Sequence, residues 1–226
     1  MPERSDPILL YHPDGYRVAR QDLKGRHSAG ESFLTAFLEH SQGRDIHALC
    51  ANKAIGEDFQ NAVQAGPGSC SPRVVGRNDI QAIRRQGLLH LPAPGIAEEA
   101  RIRDFFGGDA YAISGVTHTI SSREMLDGVA DIAVAPVQQW DALICTSNSV
   151  HKALSGVLSQ VEDDLRLRLG ASRFTRPLMP VIPLGVHANR FTRNEFDRAK
   201  WRTKLGLAED TVAILFFGRL SVHAKA

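Results

Sequence analysis

The chain is poor in the residues that mark several protein classes. It holds three cysteines in 226 residues, Cys50, Cys70 and Cys145, too far apart to form a CxxC pair. That spacing suggests neither a zinc ligand set nor a disulfide framework, and it suits a reducing compartment. Charge of either sign is not in excess: 27 basic against 25 acidic residues leave a formal net charge of +2. A nucleic-acid-binding face normally needs a concentrated basic patch, and none is visible. Long apolar runs are missing too. The N-terminal MPERSDPILLYHPDG has only four consecutive apolar residues before His12 and Pro13, too few for a signal-peptide core. No stretch approaches the roughly 18 apolar residues of a membrane span, so the reading is a cytoplasmic protein. Neither GxGxxG nor GxxxxGK[ST] occurs, which leaves a dinucleotide oxidoreductase or a P-loop enzyme unsupported. There is no internal repeat and no low-complexity segment.

What is present is an alternation of short apolar runs with helix-like segments. The composition, 43% hydrophobic and 23% charged, is that of a globular chain. Strands are expected at Ile8 to Tyr11, Ile46 to Cys50, Val74-Val75, Leu88 to Leu91, Ala110 to Val116, Ala142 to Cys145, Val181 to Leu184 and Val212 to Phe217. Between them lie helix signals. Ser28-Ala-Gly-Glu31 reads as a capping box, opening a helix with Phe33, Leu34, Phe37 and Leu38 on one face, after a long polar loop from Pro13 to Gly30. Ala54 to Ala65 reads as a helix ended by Gly66-Pro67-Gly68, and Ala97 to Phe106 as another. Ser121-Ser-Arg-Glu124 and Thr192-Arg-Asn-Glu195 match capping boxes, and Ser147 is a good N-cap. Behind Ser147, the stripe Val150, Leu154, Val157, Leu158, Val161, Leu165 and Leu169 predicts a long amphipathic helix.

Short strands alternating with helices predict an α/β fold: a Rossmann-like, doubly wound parallel sheet covered on both faces. Ligands of such sheets sit beyond the carboxyl ends of the strands. Three loops there carry chemistry. In DLKGRHSAGESFL, Gly25 and Gly30 flank Arg26, His27 and Ser28 just before an expected helix N-terminus, where free N–H groups and the helix dipole attract anions. In SGVTHTISS, His118 stands at a strand end before a capped helix, placed to hydrogen-bond a hydroxyl or shuttle a proton. In FFGRLSVHAKA, Gly218 permits a close turn, and Arg219 and Lys225 offer a phosphate clamp. The plain alternatives are an ordinary surface loop, a structural histidine and a solvated basic tail.

Four segments in order, GRHSAGESFLTAFLEH, GVTHTISS, WDALICTSNSVHKAL with VIPLGVHANRF, and ILFFGRLSVHAKA, resemble the retaining, GT-B-fold glycosyltransferases of family four. Ile182-Pro183-Leu184-Gly185-Val186 and Phe191 match that family's Ile-Pro-x-Gly-Val segment, with His187 where an aspartate is usual. Gly218, Arg219 and Lys225 match the opening of its second lobe, with Ala226 where glycine is common.

The resemblance implies residues 1–186 as an N-terminal, acceptor-side Rossmann-like domain. Residues 187–226 would be a linker plus the first strand and turn of a truncated donor-binding domain. It also implies transfer of a sugar from a nucleotide-diphosphate sugar to a saccharide or lipid-linked hydroxyl, with retention and without a metal or other cofactor. His118 would touch the transferred sugar. Gly218, Arg219, Lys225, Gly25 and Gly30 would take the diphosphate, and Arg26, His27 and Ser28 would belong to the acceptor loop. The donor-binding Glu-x7-Glu segment would fall after residue 226, so the chain alone is expected to be a poor catalyst, complemented by a missing C-terminal lobe. Peripheral membrane contact is compatible with a lipid-linked acceptor; nucleic acid is not an expected partner. Rival readings are a non-catalytic sugar- or acceptor-binding half-protein, a two-lobed epimerase, for which no acidic cluster is visible, and a simple doubly wound binding protein.

Overall fold

The computed structural model describes residues 6–17, 25–41, 43–118, 120, 122–185 and 192–215. Six parallel strands, β1 (Ile8–Tyr11), β2 (Asp45–Cys50), β3 (Ser71–Gly76), β4 (Leu88–Leu91), β5 (Ala112–Val116) and β6 (Ala142–Ile144), form one sheet in the order β3-β2-β1-β4-β5-β6. Every neighbouring pair is parallel. The helices between them are α1 (Pro13–Tyr16), α2 (Gly25–His40), α3 (Lys53–Ala65), α4 (Ile80–Gln86), α5 (Ile96–Asp104), α6 (Arg123–Asp131) and α7 (Asn148–Leu169), with α8 (Glu195–Lys204) farther on. The expected α/β class and parallel sheet are present, and the strand order is that of a Rossmann-like fold.

The alternation of strand side chains builds a core on each face. Ile8, Leu49, Val75, Leu89, Ile113 and Leu143 pack with Ile83, Ile96, Val129, Leu154 and Leu158 on one side. Leu9, Tyr11, Ile46, Ala48 and Cys50 pack with Leu34, Leu38, Phe59 and Val63 on the other. The helix starts are capped by side chains that follow each strand: Asn52 accepts from the Ile55 amide, Asp79 from Ala82, Ser122 from Met125 and Ser147 from Val150. Two helices stop at glycines in the left-handed region, Gly87 (φ 74°) and Gly170 (φ 67°), whose amides donate to the last-turn carbonyls of Ile83 and Arg166.

Several local expectations are corrected. The Pro13–Gly30 loop is broken by α1, and α2 begins at Gly25 rather than behind Ser28; Ser28 is an exposed residue inside its first turn, not its cap. The cap of α6 is Ser122, not Ser121, and that of α8 is Asn194, not Thr192; the Asn194 carboxamide oxygen accepts from the amides of Phe196 and Asp197. Helix α4 was not foreseen, because its seven residues show too short a period to read. Leu169, on the expected apolar stripe of α7, is 71% exposed. Twenty-two helical residues span about 33 Å, longer than the sheet they cover, so the last turns overhang it.

The strand expected at Val181 to Leu184 is reduced to two bridges beside β6, Ala142 with Leu178 and Cys145 with Val181. Leu178, Pro180 and Ile182 turn their backbone groups toward β6, and Pro180 removes the amide that would complete the ladder between the other two. Of the strand expected at Val212 to Phe217, residues 212–215 form no ladder, and Val212, Ile214 and Leu215 are 85%, 94% and 83% exposed. No described residue supplies a neighbouring strand for their backbone groups. The chain divides into two compact units, Met1–Gly185 and Val186–Ala226.

Far from the strand C-termini, one ion pair is fully buried. Asp141 precedes β6 and receives both Arg103 nitrogens, Nη1 at 2.6 Å and Nη2 at 2.8 Å, plus the amides of Ile113 (2.8 Å) and Gln138 (2.7 Å). Arg103 also donates to the carbonyls of Tyr111 (3.0 Å) and Pro136 (3.1 Å). The pair joins α5 to the starts of β5 and β6. Each charge is compensated by the other and by backbone dipoles, the condition under which a buried pair is tolerable.

Candidate functional site

All six strands point the same way, so their C-terminal ends share one edge. The chain leaves β1 toward one side of the sheet and β4 toward the other. Between these two strands lies the topological switch point, the place where ligands of open α/β sheets commonly sit. The residues after β1, β4 and β5 meet there.

After β1, His12 is extended and α1 follows at once. Gly15 in α1 lies so close to the β4 loop that a methyl there would sit 2.7 Å from Pro92 Cγ and 3.2 Å from His12 Cε1. On its other side α1 rests on α2: a methyl on Gly30 would overlap the Gly15 carbonyl oxygen and stand 2.9 Å from its carbonyl carbon and 3.3 Å from Tyr16 Cα. Tyr16 fixes α1 from beneath. It is buried, stacked on Tyr11 with centroids 5.4 Å apart, and tilted against Phe33 at 6.3 Å. The Tyr11 hydroxyl donates to Asp58 at 2.7 Å, and Arg17, which follows α1, pairs with the same carboxylate. Burial, with the Asp58 carboxylate second, pushes the Tyr11 phenol above its ordinary range, and burial does the same to Tyr16. Both are neutral packing groups near pH 7.

After β4 the loop Pro92-Ala-Pro-Gly95 runs over β5. It fits because Gly115 has no side chain: a methyl there would meet Ala93 O at 2.7 Å and Ile96 Cγ2 at 2.8 Å. After β5, Thr117 is buried; its amide and hydroxyl both donate to the Ile144 carbonyl at 3.0 Å, and its hydroxyl accepts from the Thr146 amide at 3.3 Å. That anchor aims the next residue. His118 is half-buried and its Nε2 lies 2.9 Å from the Pro92 carbonyl oxygen. A carbonyl can only accept, so this bond places a proton on Nε2; in the neutral ring Nδ1 is then the acceptor nitrogen.

Beneath this rim, His90 of β4 and Ser114 of β5 are register partners, with His90 Nδ1 2.9 Å from Ser114 Oγ. The ring of Phe33 stacks on His90 with centroids 4.9 Å apart. Both polar residues are buried, and burial lowers the His90 pKa to about 4, so its ring is uncharged near neutrality. Burial raises the Cys50 thiol at the end of β2 to about 11, which keeps it protonated and unreactive.

The sequence-derived residues divide accordingly. His118 follows β5 at the carboxyl edge of the sheet, against the Pro92 carbonyl. Gly30 does not face that edge as a loop amide: it lies inside α2, where its role is the close approach of α1. Gly25 is the first residue of α2, so its amide, with those of Arg26 and His27, belongs to the turn whose N–H groups have no carbonyl one turn back. His27 is buried and Ser28 exposed. The side chain of Arg26, and Gly218, Arg219 and Lys225 entire, lie outside the described residues. Sequence reading missed Gly15, Gly115, Pro92 and the His90–Ser114 pair; the one local sign was the SGV-TH run, with a glycine three residues before the histidine.

Among the described residues no three His, Cys, Asp or Glu side chains gather as a metal ligand set, and no helix is long and apolar enough to cross a membrane. No protein-family model, curated protein or solved structure is matched by this chain.

Proposed function

We propose that this chain is the acceptor-side part of a retaining glycosyltransferase of the GT-B kind, which moves a sugar from a nucleotide-diphosphate donor to a hydroxyl acceptor. The observation that carries the reading is His118, held by its own Nε2 against the Pro92 carbonyl at the switch point of a β3-β2-β1-β4-β5-β6 sheet. The imidazole so held at the carboxyl end of β5 is assigned to a hydroxyl of the transferred sugar. A half-buried imidazole so oriented suits positioning a sugar better than attacking it.

The chemical difficulty in such a transfer is negative charge building on the departing diphosphate. Preorganised donors at that place are commonly worth several kcal/mol of barrier. The amides of the first turn of α2, at Gly25, Arg26 and His27, are assigned to this anion, in place of the loop amide of Gly30. The resemblance gives Gly218, Arg219 and Lys225 the same task, and for them the reading rests on sequence alone. The acceptor hydroxyl is assigned to the outer side of the segments after β1 and β4, at His12 and Pro92.

The test is an NMR titration of the labelled chain with a panel of nucleotide sugars and sugar phosphates. Saturable shifts are expected at His12, Gly15, Ala93 and His118, and His118→Ala should weaken binding without unfolding the sheet. Shifts confined to other surfaces, or unchanged binding in the His118 variant, would overturn the assignment.

A further inference from the structure

Leu91, the last residue of β4, is the register partner of Gly115 in β5. From there the turn Pro92-Ala-Pro-Gly95 crosses β5 and enters α5. The crossing is tight at one residue. A methyl on Gly115 would stand 2.7 Å from the Ala93 carbonyl oxygen, 2.8 Å from Ile96 Cγ2 and 3.5 Å from Pro94 Cα. Three residues farther along the same chain exit, His118 holds its Nε2 2.9 Å from the Pro92 carbonyl oxygen. One turn after β4 thus rests on Gly115 and accepts from His118.

The turn is stiff enough to pass a displacement on. Pro92 and Pro94 each lock a backbone angle, and the Ile96 amide donates to the Pro94 carbonyl at 2.7 Å. Pro92 is buried, and α1 backs it at Gly15, where a methyl would stand 2.7 Å from Pro92 Cγ. The backbone leading to the donor is held as well. Thr117 donates its hydroxyl to the Ile144 carbonyl and accepts from the Thr146 amide, which ties the exit of β5 to that of β6. With both sides of the bond anchored, the height of the turn over β5 decides its length.

We infer that Gly115 is a positioning residue for His118 and acts through the turn after β4: its lack of a side chain keeps the Pro92 carbonyl low enough to hold the imidazole. For its catalytic meaning the inference rests on the assignment of His118 to the transferred sugar; the bond itself rests on geometry. A methyl at Gly115 must raise the turn by about 0.7 Å to reach an ordinary van der Waals separation from Ala93. Carried to the Pro92 carbonyl, that rise stretches the 2.9 Å bond to about 3.6 Å, which is no longer a hydrogen bond. The ring then loses the contact that keeps a proton on Nε2. Displacements below 1 Å at a group that orients a substrate are large enough to matter for transfer.

Nitrogen-15 NMR of the histidine rings in the full chain reads the proton position and needs no ligand. In Gly115→Ala the ratio of the Nε2–H to the Nδ1–H form of His118 should fall about fivefold, the worth of one ordinary hydrogen bond. Gly156→Ala lies in α7, where the added methyl meets nothing within 4 Å, and should leave the ratio unchanged. If Gly115→Ala does not fold, Ala93→Gly loosens the same turn at an exposed residue and should lower the ratio in the same direction. An unchanged ratio in whichever of these two variants folds, or an equal fall in Gly156→Ala, overturns the inference. Titration of the folded variant with sugar phosphates keeps the two assignments apart. A fallen ratio with binding equal to that of the parent chain upholds Gly115 as the positioning residue and removes the sugar from His118.

Discussion

Gly25 and Gly30 sit five residues apart in one helix, yet the structure gives them opposite reasons to lack a side chain, and alanine substitution should separate them. Neither has a positive φ, so alanine is conformationally allowed at both. A methyl on Gly25 meets nothing within 4 Å. There the substitution only restricts the unfolded chain and favours the helix, a gain of about 0.4–1 kcal/mol.

At Gly30 the obstacles are the carbonyl of Gly15 and the Cα of Tyr16, backbone atoms that no rotamer change can clear. Helix α1 must lift, and with it Tyr16, which loses its stack on Tyr11 and its contact with Phe33. Overpacking of this kind costs about 1–3 kcal/mol. The obstruction is main chain, so the upper end applies, and the helix-propensity gain of about 1 kcal/mol offsets only part of it. The net loss is about 2 kcal/mol.

The two variants should therefore differ by about 3 kcal/mol, or roughly 6–12 °C in melting temperature for a domain of this size. Thermal and urea unfolding followed by far-UV circular dichroism give the comparison. Gly30→Ala should also shift the amide resonances of His12 and His118, because α1 forms their wall. If Gly30→Ala is as stable as Gly25→Ala, the packing account of Gly30 is wrong and a ligand-facing amide regains its place.

Two further outcomes follow from buried groups. Arg103→Met leaves the Asp141 carboxylate buried without its cation and should cost about 3–5 kcal/mol, read as a drop in urea midpoint at unchanged slope; a loss below about 1 kcal/mol would mean the pair is solvated in solution. The His90 pKa is lowered to about 4 in the fold from about 6.5 in the unfolded chain. The stability it protects is thus complete above pH 6.5 and is lost as pH falls from there toward 4, by up to about 3 kcal/mol. Urea midpoints at pH 7 and pH 4.5 should show that loss, and His90→Gln should remove its share; an identical slope in both proteins would refute it.

Much of this fold was open to reading one residue at a time, and the reason is local. The runs Ile8 to Tyr11 and Leu88 to Leu91 are apolar enough to be strands whatever surrounds them. Ser147 caps a helix because a serine there satisfies an amide three residues on. Strength of a local signal also explains the misses. Ser28 precedes a glutamate by three, as a capping box should, yet α2 starts about one turn earlier, at Gly25. Val212 to Leu215 has strand propensity and no strand, since propensity cannot supply the neighbour that a ladder needs.

The candidate site divides along the same line. That His118 follows a strand and precedes a capped helix was legible from spacing. That its ring meets the carbonyl of Pro92, 26 residues away, depended on β4 and β5 lying side by side. The glycines at 15, 30 and 115 look alike in the sequence. Only packing shows that each is small because another segment's backbone or ring presses on it. Sequence sets period, caps and chemistry through neighbours within a turn or two. The strand order, the switch point between β1 and β4, and the burial of His90 with Ser114 come from long-range contacts, whose energies exist only after the sheet has assembled.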